Sequence, residues 1–379
     1  MKRIYLDHAA TTPLDNEILE KMLPYFTEEF GNPNSPHSAG RKAMAAVDNA
    51  RDSLAALLNA KPSEIYFTSG GTEADNWALL GGAYAQRELG KTHVIISSIE
   101  HHAVLTAAQR LEKEGFSVTY LPANEGGMVE VNTLKGALTK DTGLVAIMLA
   151  NNETGALQDV KTLAEAAHEN GSLFFTDGVQ AAPYIPLNVR DLGVDMLSIS
   201  GHKFYGPKGV GALYIKSGVK VWAHALGGEQ ERGLRGGTLN VPAIVGLSAA
   251  YQKNHATMYE TNEKLTALRA LFLKEISSLG GITVNGENTL PAILNLRIEG
   301  TSNVDVLYTL DLGGVSAAAG SACASSSIQP SHVLTAMGLT EKQANECVRF
   351  SLGKHTTEEE VLQAAAILKE TVGKLRAGK

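Results

Sequence analysis

Short runs that are apolar on both faces recur along the first half of this chain, at 65–68, 94–97, 117–120, 145–149, 173–176, 196–199 and 211–215. Helix-length segments, such as 103–114 and 160–170, lie between several of them. A strand that buries both faces needs cover on both sides, which is the pattern of a mostly parallel sheet wrapped by helices. The alternation predicts an α/β domain. It also predicts where the chemistry sits, because open α/β sheets bind ligands at the carboxyl ends of their strands.

The second half reads differently. One long helix starts near Pro242 and runs to about Leu279 with a charged surface that includes Glu260, Glu263 and Lys264. Beyond it, strands are expected at 292–298 and 347–351. A closing helix follows Thr357, whose spacing to Glu360 is that of a capping box. At 379 residues the chain is long enough for two domains. The expected division is a large domain, 14–250, and a smaller α+β domain built from 1–13 and 251–379.

Composition excludes several classes. A net charge of −7 argues against a nucleic-acid surface. Apolar runs such as 144–150 are too short to span a bilayer, and the N-terminus lacks a signal-peptide core, so a cytoplasmic protein is expected. Two cysteines cannot form a disulfide framework, and Cys347, flanked by apolar residues, reads as a small buried filler. No G-x-G-x-x-G follows the first strand. Gly90-Lys91-Thr92 has the tail of a phosphate-binding loop, but Ala85 stands where its first glycine belongs.

Four features carry chemistry. Gly70-Gly71-Thr72 follows a strand and opens a helix; it is either an ordinary capped turn or an anion site made of backbone N–H groups. Asp177 closes an apolar strand and reads as a turn acid or as the partner of a cationic ring nitrogen. Lys203, in Ser200-Gly201-His202-Lys203, reads as a surface charge or, if buried and neutral, as a Schiff-base amine. Cys323 lies among small residues, in a packed turn or a mobile loop, and would need a cation from elsewhere in the fold to lower its pKa. Together, lysine, strand-end aspartate and isolated cysteine are the parts for chemistry on pyridoxal 5′-phosphate with a thiol acceptor. His101, at a strand end in Glu100-His101-His102, is suited to stacking on a flat cofactor or to proton transfer. Adjacent histidines with no matching Cys/His set argue against a metal.

The chain resembles the group I cysteine desulfurases, the NifS/IscS-like branch of the class V aminotransferases. The resemblance rests on Tyr5 to Thr12, Phe30-Gly31-Asn32-Pro33-Asn34-Ser35, the Gly70–Asn76 turn, Asn151-Asn152-Glu153-Thr154-Gly155, Ser200 to Lys203, Arg235-Gly236-Gly237-Thr238, Gly320-Ser321-Ala322-Cys323 and Arg349-Phe350-Ser351-Leu352-Gly353, in that order. His8 and the pair Ala318-Ala319 depart from the common spelling. The resemblance implies fold type I of the pyridoxal-phosphate enzymes, with a seven-stranded sheet. It implies that Lys203 binds the cofactor covalently, Asp177 partners the pyridinium, Gln180 contacts the ring hydroxyl and His101 stacks on the ring. Gly71, Thr72, Ser200 and His202 fall in the phosphate motifs, and Thr238 resembles a phosphate ligand given by the neighbour in a homodimer. Asn152 and Arg349 match the pair that grips the substrate carboxylate, and Cys323 the thiol that becomes a persulfide. The implied reaction converts L-cysteine to L-alanine and hands sulfur to an acceptor protein, such as an iron–sulfur scaffold or a tRNA-thiolation enzyme. A selenocysteine lyase, a transaminase or a non-catalytic partner-binding paralogue are the alternatives. A transaminase has no need of Cys323, and a non-catalytic paralogue should have lost Lys203, Asp177 or Cys323.

Overall fold

The computed structural model describes residues 3–320 and 330–378. Cys323, with Ser321 and Ala322, lies outside the described residues. In chain order the strands are β1 (Ile4–Tyr5), β2 (Ile65–Thr68), β3 (His93–Ser97), β4 (Ser117–Leu121), β5 (Thr142–Ala146), β6 (Leu173–Asp177), β7 (Met196–Ser200), β8 (Gly211–Ile215), β9 (Ile282–Asn285), β10 (Ile293–Ile298), β11 (Val315–Ser316) and β12 (Cys347–Ser351).

Seven strands form one sheet in the order β2-β8-β7-β6-β5-β3-β4. Only β8 runs against its neighbours, β2 and β7; the other pairings are parallel. This is the mostly parallel α/β sheet that the apolar runs predict. Alternate residues feed opposite layers, as the period of two requires. Ile95, Val145 and Phe174 pack into the layer beneath helices Ser38–Leu58 and Val241–Ile276. Val94, Ile96, Leu144 and Phe175 pack against Trp77, Ala78 and Leu111 on the other side.

One strand is displaced from its expected place. The apolar run 145–149 reads as the strand, but the regular pairing covers Thr142–Ala146. The later residues leave the ladder toward the strand ends while still donating, Ile147 N–H to Phe175 and Leu149 N–H to Asp177.

The second half holds a three-stranded antiparallel sheet, β12-β10-β9. The N-terminal segment joins it: β1 pairs with β11, and Asp7 bridges to Ser351 on β12. The long helix spans Val241–Ile276, capped by the Asn240 side chain. It stops short of Leu279, because Ser277 to Leu279 form a turn leading to β9. The closing helix, Glu358–Ala377, starts with the Thr357/Glu360 capping box read from the sequence. No helix among the described residues is long and apolar enough to cross a membrane.

Candidate active site

The carboxyl ends of the large sheet converge on one cavity of about 220 Å³. Asp177 is the last residue of β6 and Ser200 the last of β7. The chain then turns tightly through Gly201–Lys203, presenting the lysine. From β2 the chain passes through Gly70, at φ 152°, into the helix that opens at Gly71. A Cβ on Gly71 would lie 2.8 Å from Val179 Cγ2, so only glycine lets this turn close on the cavity wall. From β3 the chain reaches His101, which caps helix His102–Lys113.

Of the site residues read from the sequence, Gly71, Thr72, His101, Asn152, Asp177, Gln180, Ser200, His202 and Lys203 line this cavity. A second cavity, of about 380 Å³, is walled by Gly70, Gly71, Thr72, Ser200, His202 and Lys208. The two share Gly71, Thr72, Ser200 and His202.

Lys203 Nζ donates to the carbonyls of Ala9 and Ala10, at 2.5 and 2.9 Å. The N-terminal segment thus reaches under the site. Gln180 holds it there through a 2.9 Å bond from Nε2 to the Ala9 carbonyl. Burial pushes the Asp177 carboxyl up to about 6, against the opposing pull of the Val179 N–H (2.8 Å), the Lys203 charge and the Ser198 hydroxyl. His101 is pushed down to about 4, first by burial and then by the positive Lys203 and the neighbouring His102 and His332. Its Nδ1 accepts from Ala103 N–H at 3.2 Å, which places the proton of the neutral ring on Nε2. His202 is likewise held down at about 4 by burial and by Lys203 and Lys208.

Arg349 is buried and does not line the cavity; it is joined to the wall residue Asn152. Its Nη1 donates to the Asn152 carbonyl at 2.8 Å and its Nη2 to Asp7 Oδ1 at 2.7 Å, while Nε is buried without a hydrogen-bond partner. The turn carrying Asn152 is fixed by Asn151, whose Oδ1 accepts from the N–H groups of Glu153 and Thr154. Thr238 is exposed and is not brought to the cavity of its own chain. Cys347 is buried, and burial pushes its thiol up to about 12, as suits a core filler.

Sequence reasoning missed Asp75, Met148, Val179, Ala9 and Ala10 in the wall. Asp75 had a signal: it lies four residues after Gly71 in a helix, so both share a face. The Asp7–Arg349 pair had none, because 342 residues separate the partners.

These residues fit a flat, phosphorylated pyridine aldehyde. Amine, carboxyl, amide and imidazole gather at one cavity, and a glycine turn with hydroxyl and imidazole donors sits where that cavity meets the second. Residues 4–363 match the family model described as aminotransferase class-V, and the chain belongs to that family. Its cofactor is pyridoxal 5′-phosphate.

Within the family, the chain is 46% identical to the cysteine desulfurase IscS of Clostridium botulinum (strain Hall), over 99% of this chain and 96% of the relative. It is also 46% identical to the cysteine desulfurase IscS of Methanosarcina thermophila, over 99% and 93%. Among solved structures, a NifS-like protein superposes with a TM-score of 0.91 at 36% identity, covering 98% of this chain and 99% of that one. SspA in complex with cysteine gives a TM-score of 0.82 at 38% identity, covering 93% and 99%.

Proposed function

We infer that this protein is a cysteine desulfurase, converting L-cysteine to L-alanine and carrying the sulfur on Cys323 as a persulfide. The observation that carries this reading is the gathering of Lys203, Asp177, Gln180 and His101 around one cavity in a chain nearly half identical to cysteine desulfurases. Pyridoxal phosphate, when bound, supplies an electron sink for the charge released at the substrate α-carbon. Lys203 holds the cofactor and is placed to move the α-proton. Asp177, ionised, keeps the ring nitrogen protonated. Gly71, Thr72, Ser200 and His202 hold the phosphate. His101, neutral with its proton on Nε2, serves as stacking partner and proton carrier. Arg349 and Asn152 hold the substrate carboxylate, and the Arg349 Nε, buried without a partner, is one of the N–H donors left for it.

The Cys323 thiolate forms a new S–S bond to the substrate sulfur as the substrate Cβ–S bond breaks. The carbon keeps that electron pair and takes a proton to give alanine, leaving a Cys323 persulfide. The acceptor is a sulfur-relay protein, such as an iron–sulfur scaffold or a tRNA-thiolation enzyme, in the cytoplasm.

The same reading makes the protein a homodimer in which Thr238 serves the partner's phosphate. The exposure of Thr238, of Leu226 at 90% and of Phe30 at 73% supports this. It divides the chain into a large domain, 14–250, and a small one, 1–13 with 251–379. The pairing of β1 with β11 supports that division. The test of the activity is incubation with cysteine and a reductant, with sulfide and alanine measured together. Equal release of the two is expected. In a parallel incubation with added pyruvate, alanine formed with pyruvate consumed and no sulfide would make it a transaminase.

A further inference from the structure

Three buried carboxyl groups stand around this cavity, and the proposed chemistry uses one. Asp75 and Asp177 line it, and Glu100 lies close enough that its charge acts on Asp75 and the charge of Asp177 acts on it. Glu100 is satisfied on one side only. Its Oε1 accepts from Met148 N–H at 2.7 Å and from Ser97 Oγ at 2.5 Å, while Oε2 is buried without a partner. Between the two aspartates sits Ser198. It faces Asp177 directly across the β6–β7 ladder, where the two are register partners. Its Oγ is 2.5 Å from Asp75 Oδ1. One hydroxyl thus stands between two buried carboxyl groups, within hydrogen-bond distance of Asp75 and beside Asp177 on the ladder.

We propose that Asp75 is a positioning residue for Asp177: it stays neutral, donates its carboxyl proton to Ser198 Oγ, and so turns the Ser198 hydrogen toward the Asp177 carboxylate. This rests on the reading that Asp177 partners the cofactor's ring nitrogen. Two carboxylates sharing a buried hydroxyl cannot both be charged without a large cost. The nearby cation decides which one is. The charge of Lys203 acts on Asp177, whereas burial raises Asp75, and the charges it meets are the like ones of Asp177 and Glu100. The single negative charge therefore resides on Asp177. The chain of donors, Asp75 to Ser198 to Asp177, is polarised in one direction, and each bond strengthens the next.

The alternative arrangement, an ionised Asp75 taking the Ser198 hydrogen, would strip Asp177 of a donor. Substitutions distinguish the two. An asparagine at 75 still donates to Ser198, as a neutral acid does, but cannot carry charge. Wild type, Asp75→Asn, Asp75→Ala and Ser198→Ala are loaded with pyridoxal phosphate and their visible absorbance is titrated against pH. Cofactor affinity is measured separately on the apoproteins, and thermal unfolding checks each fold.

Asp75→Asn is expected to match wild type in both readouts. Asp75→Ala and Ser198→Ala are expected to bind the cofactor about tenfold more weakly, for want of a hydrogen bond to the charged Asp177. Their spectral midpoint is expected to rise by about one pH unit, because a less protonated ring nitrogen resists a second positive charge on the conjugated nitrogen less strongly. An Asp75→Asn protein that behaves like Asp75→Ala, or a folded Ser198→Ala protein that titrates like wild type, overturns the proposal. A wild-type protein with no titrating band, or one whose band survives Lys203→Ala, defeats the cofactor assignment itself.

Discussion

At the Lys203 end of the cavity, Asp177, Ser200 and His101 are each delivered by the carboxyl end of a strand, or the turn just after it, in one sheet. At the Arg349 end, the parts come from an N-terminal segment (Asp7), the middle of the chain (Asn152) and a strand of the second sheet (Arg349). The first end is placed by strand register, in which a slip of one residue turns every side chain to the other face. The second is placed by tertiary hydrogen bonds, each of which can be lost while the elements survive. Substitutions at the first end should therefore remove chemistry, and at the second they should weaken binding.

The largest expected effect is at Lys203. Lys203→Ala should remove the visible absorbance of the loaded protein and its turnover together; a mutant with ordinary sulfide release would move the covalent role elsewhere. Cys323→Ser comes next. It should bind cofactor and cysteine with wild-type spectra yet release almost no sulfide, and substantial sulfide from it would favour a lyase that needs no thiol acceptor. Arg349→Lys probes the other end. Lysine offers a point charge in place of a planar fork, so cysteine should bind more weakly by about 1.5–3 kcal/mol, roughly 10- to 150-fold in KM, with kcat changed far less. A loss confined to kcat would erase the contrast between the two ends.

The same contrast explains what was legible in the sequence. Asp177 and Lys203 stood out because apolar runs mark strands and chemistry gathers at their ends. The Thr357/Glu360 cap and the long helix were legible because their signals are local. Asp75 was legible only indirectly, through its spacing of four from Gly71, because its helix of six residues is too short for apolar periodicity to mark a buried face. The displacement of β5 was concealed because an apolar run does not say which of its residues keep the ladder. Asp7 could not be paired with Arg349 from a linear reading, and the role of Ala9 and Ala10 is carried by carbonyl groups that every residue possesses. Thr238 rests on family resemblance alone and is exposed, whereas Cys323 stood out as an isolated cysteine among small residues but lies outside the described residues.

The smallest effect tests whether the tertiary end is held electrostatically as well. Asp15 caps helix Asn16–Met22 and accepts from Lys354 Nζ at 2.7 Å, with Lys253 Nζ at 3.1 Å. It therefore ties the N-terminal segment to the long helix and to the chain just past β12. Burial alone would raise its carboxyl, but the hydrogen bonds from Lys354 and Lys253 prevail and hold it at about 2, below its ordinary 3.8. A carboxyl with a lower pKa in the folded state stabilises the fold above the unfolded value. That contribution fades as pH falls from about 4 to about 2. Asp15→Asn should cost about 1 kcal/mol in urea unfolding at neutral pH. Its deficit relative to wild type should shrink as pH falls toward about 2, where the wild-type carboxyl takes up its own proton. A deficit that is constant with pH would mean that the cap on the Glu17 N–H, which an asparagine oxygen still provides in part, matters more than the two lysines. The second end of the site would then be held by geometry rather than by charge.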